Sequence, residues 1–152
     1  MVNDKKLYYD TVRELIKSPD VKILKNIPQH DGNNTLNHCI DVAKVSFALA
    51  ERLKMRIDER TLARGAILHD YYLYDIEERG YSDYFHGTRH PITALKNAEE
   101  KFTLSEKEKN IIRGHMWPLT LFHPPKSKEA WIVSAADKYC AIKEMWLHQR
   151  RV

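Results

Sequence analysis

Along this chain, residues able to hold a metal ion recur at positions that helical periodicity turns toward an apolar interior. His38, His69, Asp70, His90, His115 and Asp137 form an ordered series, and the pair His69-Asp70 ends abruptly the small and apolar run Gly65-Ala66-Ile67-Leu68. His38 shares a helical face with Val42, Val45 and Leu49, and His69 follows Leu62 and Ala66. His115 comes after Ile111 and Ile112, and Asp137 lies between Val133 and Ala141. Spacings of three and four residues place all four on core-facing stripes. An ionised carboxylate cannot be buried without a partner, so Asp137 requires a cation, and no Lys or Arg lies one turn away on its face. A metal is the simplest one, because imidazole and carboxylate are the donors that iron, zinc, nickel, copper and manganese accept.

Helical periods dominate the rest of the chain, and the β-branched runs that mark sheets are scarce. Apolar positions at Leu7, Tyr8, Val12, Leu15 and Ile16 predict a helix over 4–17, ended by Ser18-Pro19, with a short turn of helix over 20–26. The loop Pro28 to Asn34 leads into a long helix from Thr35 to about Leu53. Asp58 caps a helix running to about Tyr72, after which 74–89 reads as an irregular active-site loop. Pro91 starts a helix reaching Phe102, Ser105 and Glu108 form a capping box for one reaching His115, and Ser127 caps a last helix reaching Trp146. The expectation is an all-α, single-domain bundle of about five to seven helices. It has a core over about 35–141 and an N-terminal helical extension over 4–26.

With 152 residues, 43% hydrophobic and 30% charged, the chain has the balance of an ordinary globular domain. No apolar run approaches the roughly 20 residues of a membrane span, and the polar start at Met1 to Lys6 does not read as a signal peptide. Cys39 and Cys140 lack metal or redox spacing and read as small core residues of a cytoplasmic protein. The net charge of +4 and the basic tail at Arg150-Arg151 favour anionic ligands, but no basic stripe interleaved with aromatics points to nucleic acid.

Asn37-His38-Cys39, Leu68-His69-Asp70 and Ala136-Asp137-Lys138 resemble the first-His, His-Asp and last-Asp motifs of the HD-domain metal-dependent phosphohydrolase superfamily. The resemblance runs from about Thr35 to Cys140 and implies His38, His69, Asp70 and Asp137 as ligands of one metal. His90-Pro91 and Gly114-His115-Met116 are similar to the further His motifs of dinuclear members. That similarity implies that Asp70 bridges and that His90 and His115 hold a second ion. The chain departs from the branch that turns over cyclic di-GMP, having Met116-Trp117-Pro118-Leu119 where that branch has a second adjacent His. It has Tyr71-Tyr72-Leu73-Tyr74 where the family carries a lysine.

The resemblance implies one or two transition ions per chain, iron or manganese best matching the N/O set, with zinc, nickel or cobalt as alternatives. It further implies hydrolysis of a phosphoester or phosphoanhydride of a small anionic metabolite, such as a nucleotide, by metal-activated water. Two other readings remain: an HD-type di-iron oxygenase, and a non-catalytic nucleotide-binding regulatory module.

Other residues carry paired readings. His30-Asp31 is either a turn or a wall of the site. His86 binds a phosphate oxygen, protonates a leaving group or competes with His90 as a ligand. Asp70 and His86 are assigned to catalysis with Arg89 and Lys138, which are adjacent to candidate ligands and suited to pairing with phosphate. Asp75 either orients water or is a solvated loop residue. Tyr72 and Trp117, with Tyr71 and Tyr74, either line a base pocket or belong to the core. His123 and His148 read as surface residues.

Overall fold

The computed structural model describes residues 2–29, 32–75, 79–80 and 82–151. Helix α1 (Lys5–Lys17) begins at Asp4, whose carboxylate accepts the Leu7 N–H at 2.9 Å, and stops at Ser18. Pro19 then opens α2 (Pro19–Lys22), which tightens into a 3₁₀ turn over Ile23–Asn26. Asn34 caps α3 (Thr35–Arg52), and Asp58 caps α4 (Glu59–Leu68). Next come α5 (Asp83–Lys101), α6 (Glu106–Gly114) and α7 (Lys128–Arg151). The reciprocal capping box of Ser105 and Glu108 starts α6. The described residues form no strand, so the fold is all-α.

Helix α4 is the hub, packed against α1, α3, α6 and α7, while α3 also lies along α7 and α5 packs against α6. Leu62, Ala63, Ala66, Ile67 and Leu68 of α4 are buried together with Val42, Ala43 and Phe47 of α3, Ile111 and Ile112 of α6, and Ile132, Val133 and Ala136 of α7. Gly65 sets the α4–α6 approach: a methyl there would fall 2.5 Å from Ile111 Cδ1. That close approach brings the last turn of α4, with His69, against the last turn of α6, with His115. The N-terminal helix belongs to the same core. Its Tyr8 is wholly buried and donates its hydroxyl to the Ala43 carbonyl at 2.7 Å.

Three boundaries differ from the sequence expectation. Helix α4 stops at Leu68 rather than near Tyr72, because Asn97 on α5 donates to the Tyr71 and Tyr72 carbonyls at 3.2 and 2.9 Å and holds that backbone out of the helix. Leu73 then takes a positive φ of 58°. The expected loop over 74–89 contains the first two turns of α5: Ser82 accepts the Phe85 N–H and starts the helix, so Pro91 lies inside it. The helix runs through the proline because His86, His90, Ala94 and Ala98, four residues apart, bury one continuous face. The last helix extends past Trp146 to Arg151.

Candidate metal centre

The ends of three helices and the middles of two others meet at one buried cluster. His38 comes from the first turn of α3, His69 and Asp70 from the turn that closes α4, His90 from α5, His115 from the end of α6, and Asp137 from α7. All six are buried, His69 and His115 completely. Their donor atoms form two groups within coordination reach, His38/His69/Asp70/Asp137 and Asp70/His90/His115, which share Asp70.

Asp70 divides its two oxygens between the groups. Oδ1 lies 3.1 Å from His90 Nε2 and 3.3 Å from His115 Nε2, and Oδ2 lies 3.4 Å from His69 Nε2 and 3.5 Å from His38 Nε2. Asp137 Oδ1 closes the first group, 2.9 Å from His38 Nε2 and 3.4 Å from His69 Nε2.

Each imidazole is oriented by its other nitrogen. His69 Nδ1 meets the Ala66 carbonyl at 2.7 Å, His115 Nδ1 the Ile112 carbonyl at 2.7 Å, and His90 Nδ1 the His86 carbonyl at 2.9 Å. Those acceptors require Nδ1–H, which leaves an Nε2 lone pair facing the cluster. His38 Nδ1 lies 2.9 Å from the Glu144 carboxylate, which does the same for the fourth ring.

The consequence is a set of acceptors with too few donors. His90 Nε2 and His115 Nε2 face one another at 2.8 Å, and with both Nδ1 atoms donating, two lone pairs would oppose each other. Buried His69 Nε2 and Asp70 Oδ1 have no hydrogen-bond partner among the described residues. Orphaned buried acceptors are costly. A cation in each group would satisfy every one, and the nitrogen and carboxylate set fits divalent transition ions.

Proton affinities point the same way. Burial pushes the Asp70 carboxyl up, but His69, His115 and His90 outweigh it and hold it well below the usual carboxylate range. Burial is likewise outweighed at Asp137, held down by His38 and His69. Burial disfavours protonated His38, yet Asp137 and Glu144 lift its pKa well above the ordinary value. His69 is raised in the same way, burial being overcome chiefly by Asp70. Both directions mark a cluster whose carboxylates call for positive charge.

The sequence model of the HD domain matches residues 35–142 of the 152. The chain belongs to the HD-domain family. Comparison with curated proteins and with solved structures gave no match. HD domains bind divalent metals and generally act as metal-dependent phosphohydrolases, and the buried His/Asp groups occupy the matched segment.

A cavity of about 360 Å³ opens on the HD-domain cluster, lined by Gln29, His38, Asp70, Asp83, His86, Gly87, His90, Met116, Asp137, Ala141, Glu144 and Met145. That volume is within the range of small-molecule sites. His86 stacks on His90 with ring centroids 4.5 Å apart, and its Nδ1 lies 2.9 Å from the Tyr74 hydroxyl. Tyr72 is buried behind these rings, its centroid 5.1 Å from that of His86 and 5.7 Å from that of His90, so it supports the wall rather than lining it.

The remaining sequence candidates lie farther out. Lys138 is half-buried and donates to the His115 carbonyl at 3.0 Å and to Ser134 Oγ at 2.8 Å, away from the lining. Arg89 is exposed, with its guanidinium 5.0 Å from the Phe85 ring centroid. Trp117 packs edge-on against Trp131 at 5.1 Å, Asp75 is half-buried beside Tyr74, and His30 and Asp31 lie outside the described residues. His123 and His148 are exposed.

Sequence reasoning passed over Glu144 and Gln29. Glu144 follows Asp137 by seven residues, two helical turns on the same face, and that spacing was the available signal. Gln29 donates to Asp70 Oδ2 at 3.0 Å from a loop, where no periodicity could mark it.

Proposed function

We propose that the protein hydrolyses a phosphoester or phosphoanhydride bond in a small phosphorylated metabolite, with a nucleotide as the expected substrate class, using two divalent ions. The observation that carries this reading is the division of Asp70, one oxygen facing each imidazole pair. His38, His69, Asp70 and Asp137 would hold one ion, and Asp70, His90 and His115 the other. Iron or manganese suits this mixed set, with zinc, nickel and cobalt as competitors. The chemistry supplied by bound ions is neutralisation of phosphoryl charge and a water acidic enough to attack near neutral pH.

The chain's own residues do the rest. Asp70, Asp83, Asp137 and Glu144 line the cavity, and no Lys or Arg is among its described lining residues. An anionic substrate is therefore repelled by the bare cavity and enters only the loaded one. Asp70 thus governs both loading and substrate entry. His86, held by Tyr74 and by stacking on His90, is placed to hydrogen-bond a leaving oxygen or hand it a proton. Met116, Ala141 and Met145 form an apolar wall for the organic part of the substrate. Lys138 acts as a positioning residue, fixing the turn that presents His115, while exposed Arg89 is left to the approach of phosphate.

The test is phosphate release from nucleoside mono-, di- and polyphosphates and simple phosphate esters, with manganese or iron and with chelator. Metal-dependent release from at least one class is expected. Tight nucleotide binding without release under any metal would replace this reading with a binding module, and substrate-dependent oxygen consumption would replace it with di-iron oxygenase chemistry.

A further inference from the structure

The face of α6 turned away from His115 forms a second cleft, of about 470 Å³, with Leu95 of α5 and the segment 122–127. It shares no lining residue with the metal cavity. Its charge is of the opposite sign, since Lys107, Lys109, Arg113 and Lys126 line it against a single carboxylate, Glu106.

These cations are not equally committed. Lys109 is paired with Glu99 at 3.2 Å and Glu106 at 3.4 Å, and Lys107 lies 3.9 Å from Glu129. Arg113 has no carboxylate within ion-pairing distance among the described residues, and its Nη1 is buried without a hydrogen-bond partner. Lys126 likewise has no ion-pair partner there. A partly desolvated guanidinium with an orphaned N–H is an energetic cost that an anion with several oxygens removes, and guanidinium forks match phosphate geometry.

The cleft is also pre-formed. Asn110 clamps its far wall, donating to the Pro124 carbonyl at 3.1 Å and accepting the Lys126 N–H at 2.8 Å. Ser127 accepts the Ala130 N–H at 3.1 Å and opens α7, so the positive end of a 24-residue helix borders the same space. His123 shares these surroundings, where burial, then Arg113 and Lys126, hold its pKa below the ordinary value. At the mouth Phe122 is 89% exposed, an aromatic face open to a ligand ring.

We infer that this cleft binds a polyphosphate anion, anchored by Arg113 and Lys126, and that it is separate from the metal centre. The same chemistry is offered by inorganic pyrophosphate and by the phosphate chain of a nucleotide.

Calorimetric titration of the full chain with pyrophosphate and with adenosine diphosphate tests it, using the wild type, Asp70→Ala, Lys126→Gln, Arg113→Gln and Phe122→Ala. Lys126 and Phe122 are exposed, so their variants keep the fold even if Arg113→Gln does not. Pyrophosphate binding should survive Asp70→Ala and weaken about tenfold or more in Lys126→Gln, as expected for a lost charge-assisted bond. If Phe122→Ala weakens the diphosphate alone, the site takes nucleotides. If it weakens neither ligand, the site takes the inorganic anion, and either result upholds the cleft. Absence of binding at millimolar anion would overturn the inference. So would binding that vanishes in Asp70→Ala and persists unchanged in Lys126→Gln.

Discussion

The two halves of the His/Asp cluster are built differently. His38, His69 and Asp137 stand on α3, α4 and α7, three helices packed on one another, and carboxylates contact both nitrogens of His38. His90 stands on α5, which packs chiefly on α6, and among the described residues the shared Asp70 is the one carboxylate within ion-pairing distance of His90 and His115. The first half offers four ligands and two carboxylates, the second three ligands and one. Charge and rigidity both favour the first, so two ions should bind with unequal affinity. The shared carboxylate makes the halves interdependent.

Removing that shared group should have the largest effect. Asp70→Ala should strip both ions and abolish hydrolysis together, as elemental analysis and a phosphate-release assay would show. If full activity survived, the two halves would not meet at Asp70.

His90→Ala should separate the halves. The account expects loss of the weaker ion alone, leaving about one per chain, whereas His69→Ala should lower the affinity of the tighter one. Equal loss of both ions in His90→Ala would erase the distinction.

A smaller effect belongs to Glu144, which orients His38 without joining either group. Glu144→Gln should weaken the first ion by about 10- to 100-fold, typical for a hydrogen-bonded support of a ligand, and leave the second unchanged. Competition with a chromophoric chelator would resolve the two.

The gentlest probe is pH. His38 and His69 hold protons more tightly than ordinary histidines in the metal-free protein, and each must release its Nε2 proton to ligate. Affinity of the first ion should therefore rise with pH until those raised pKa values are passed, and fall as acid restores the protons. His115, whose pKa is lowered by burial, should impose no such penalty near neutrality on the second ion. Calorimetry in buffers of different ionisation enthalpy would count the protons released.

Much of this architecture was legible because it is periodic. His38, His69, His115 and Asp137 interrupt apolar stripes, and a polar side chain on a core-facing stripe needs a reason to be there. His90 entered the series by residue type alone, and its place on a buried helical face was not legible, because a proline beside it reads as a helix start. The cap at Ser82 and the four-residue spacing from His86 to Ala98 decide otherwise. What periodicity cannot carry is contact across elements. Gln29 reaches Asp70 from a loop and Glu144 reaches His38 across α3 and α7, and both depend on how helices pack. That Arg113 finds no carboxylate among the described residues is of the same kind, since no sequence pattern says which cations find carboxylates.

The most direct test is metal per chain by elemental mass spectrometry, on protein purified without chelator or His-tag and then saturated with iron or manganese. About two ions per wild-type chain, bound in two resolved steps, is the predicted result. A single ion at saturation, or none, would contradict the division of Asp70 between two metals.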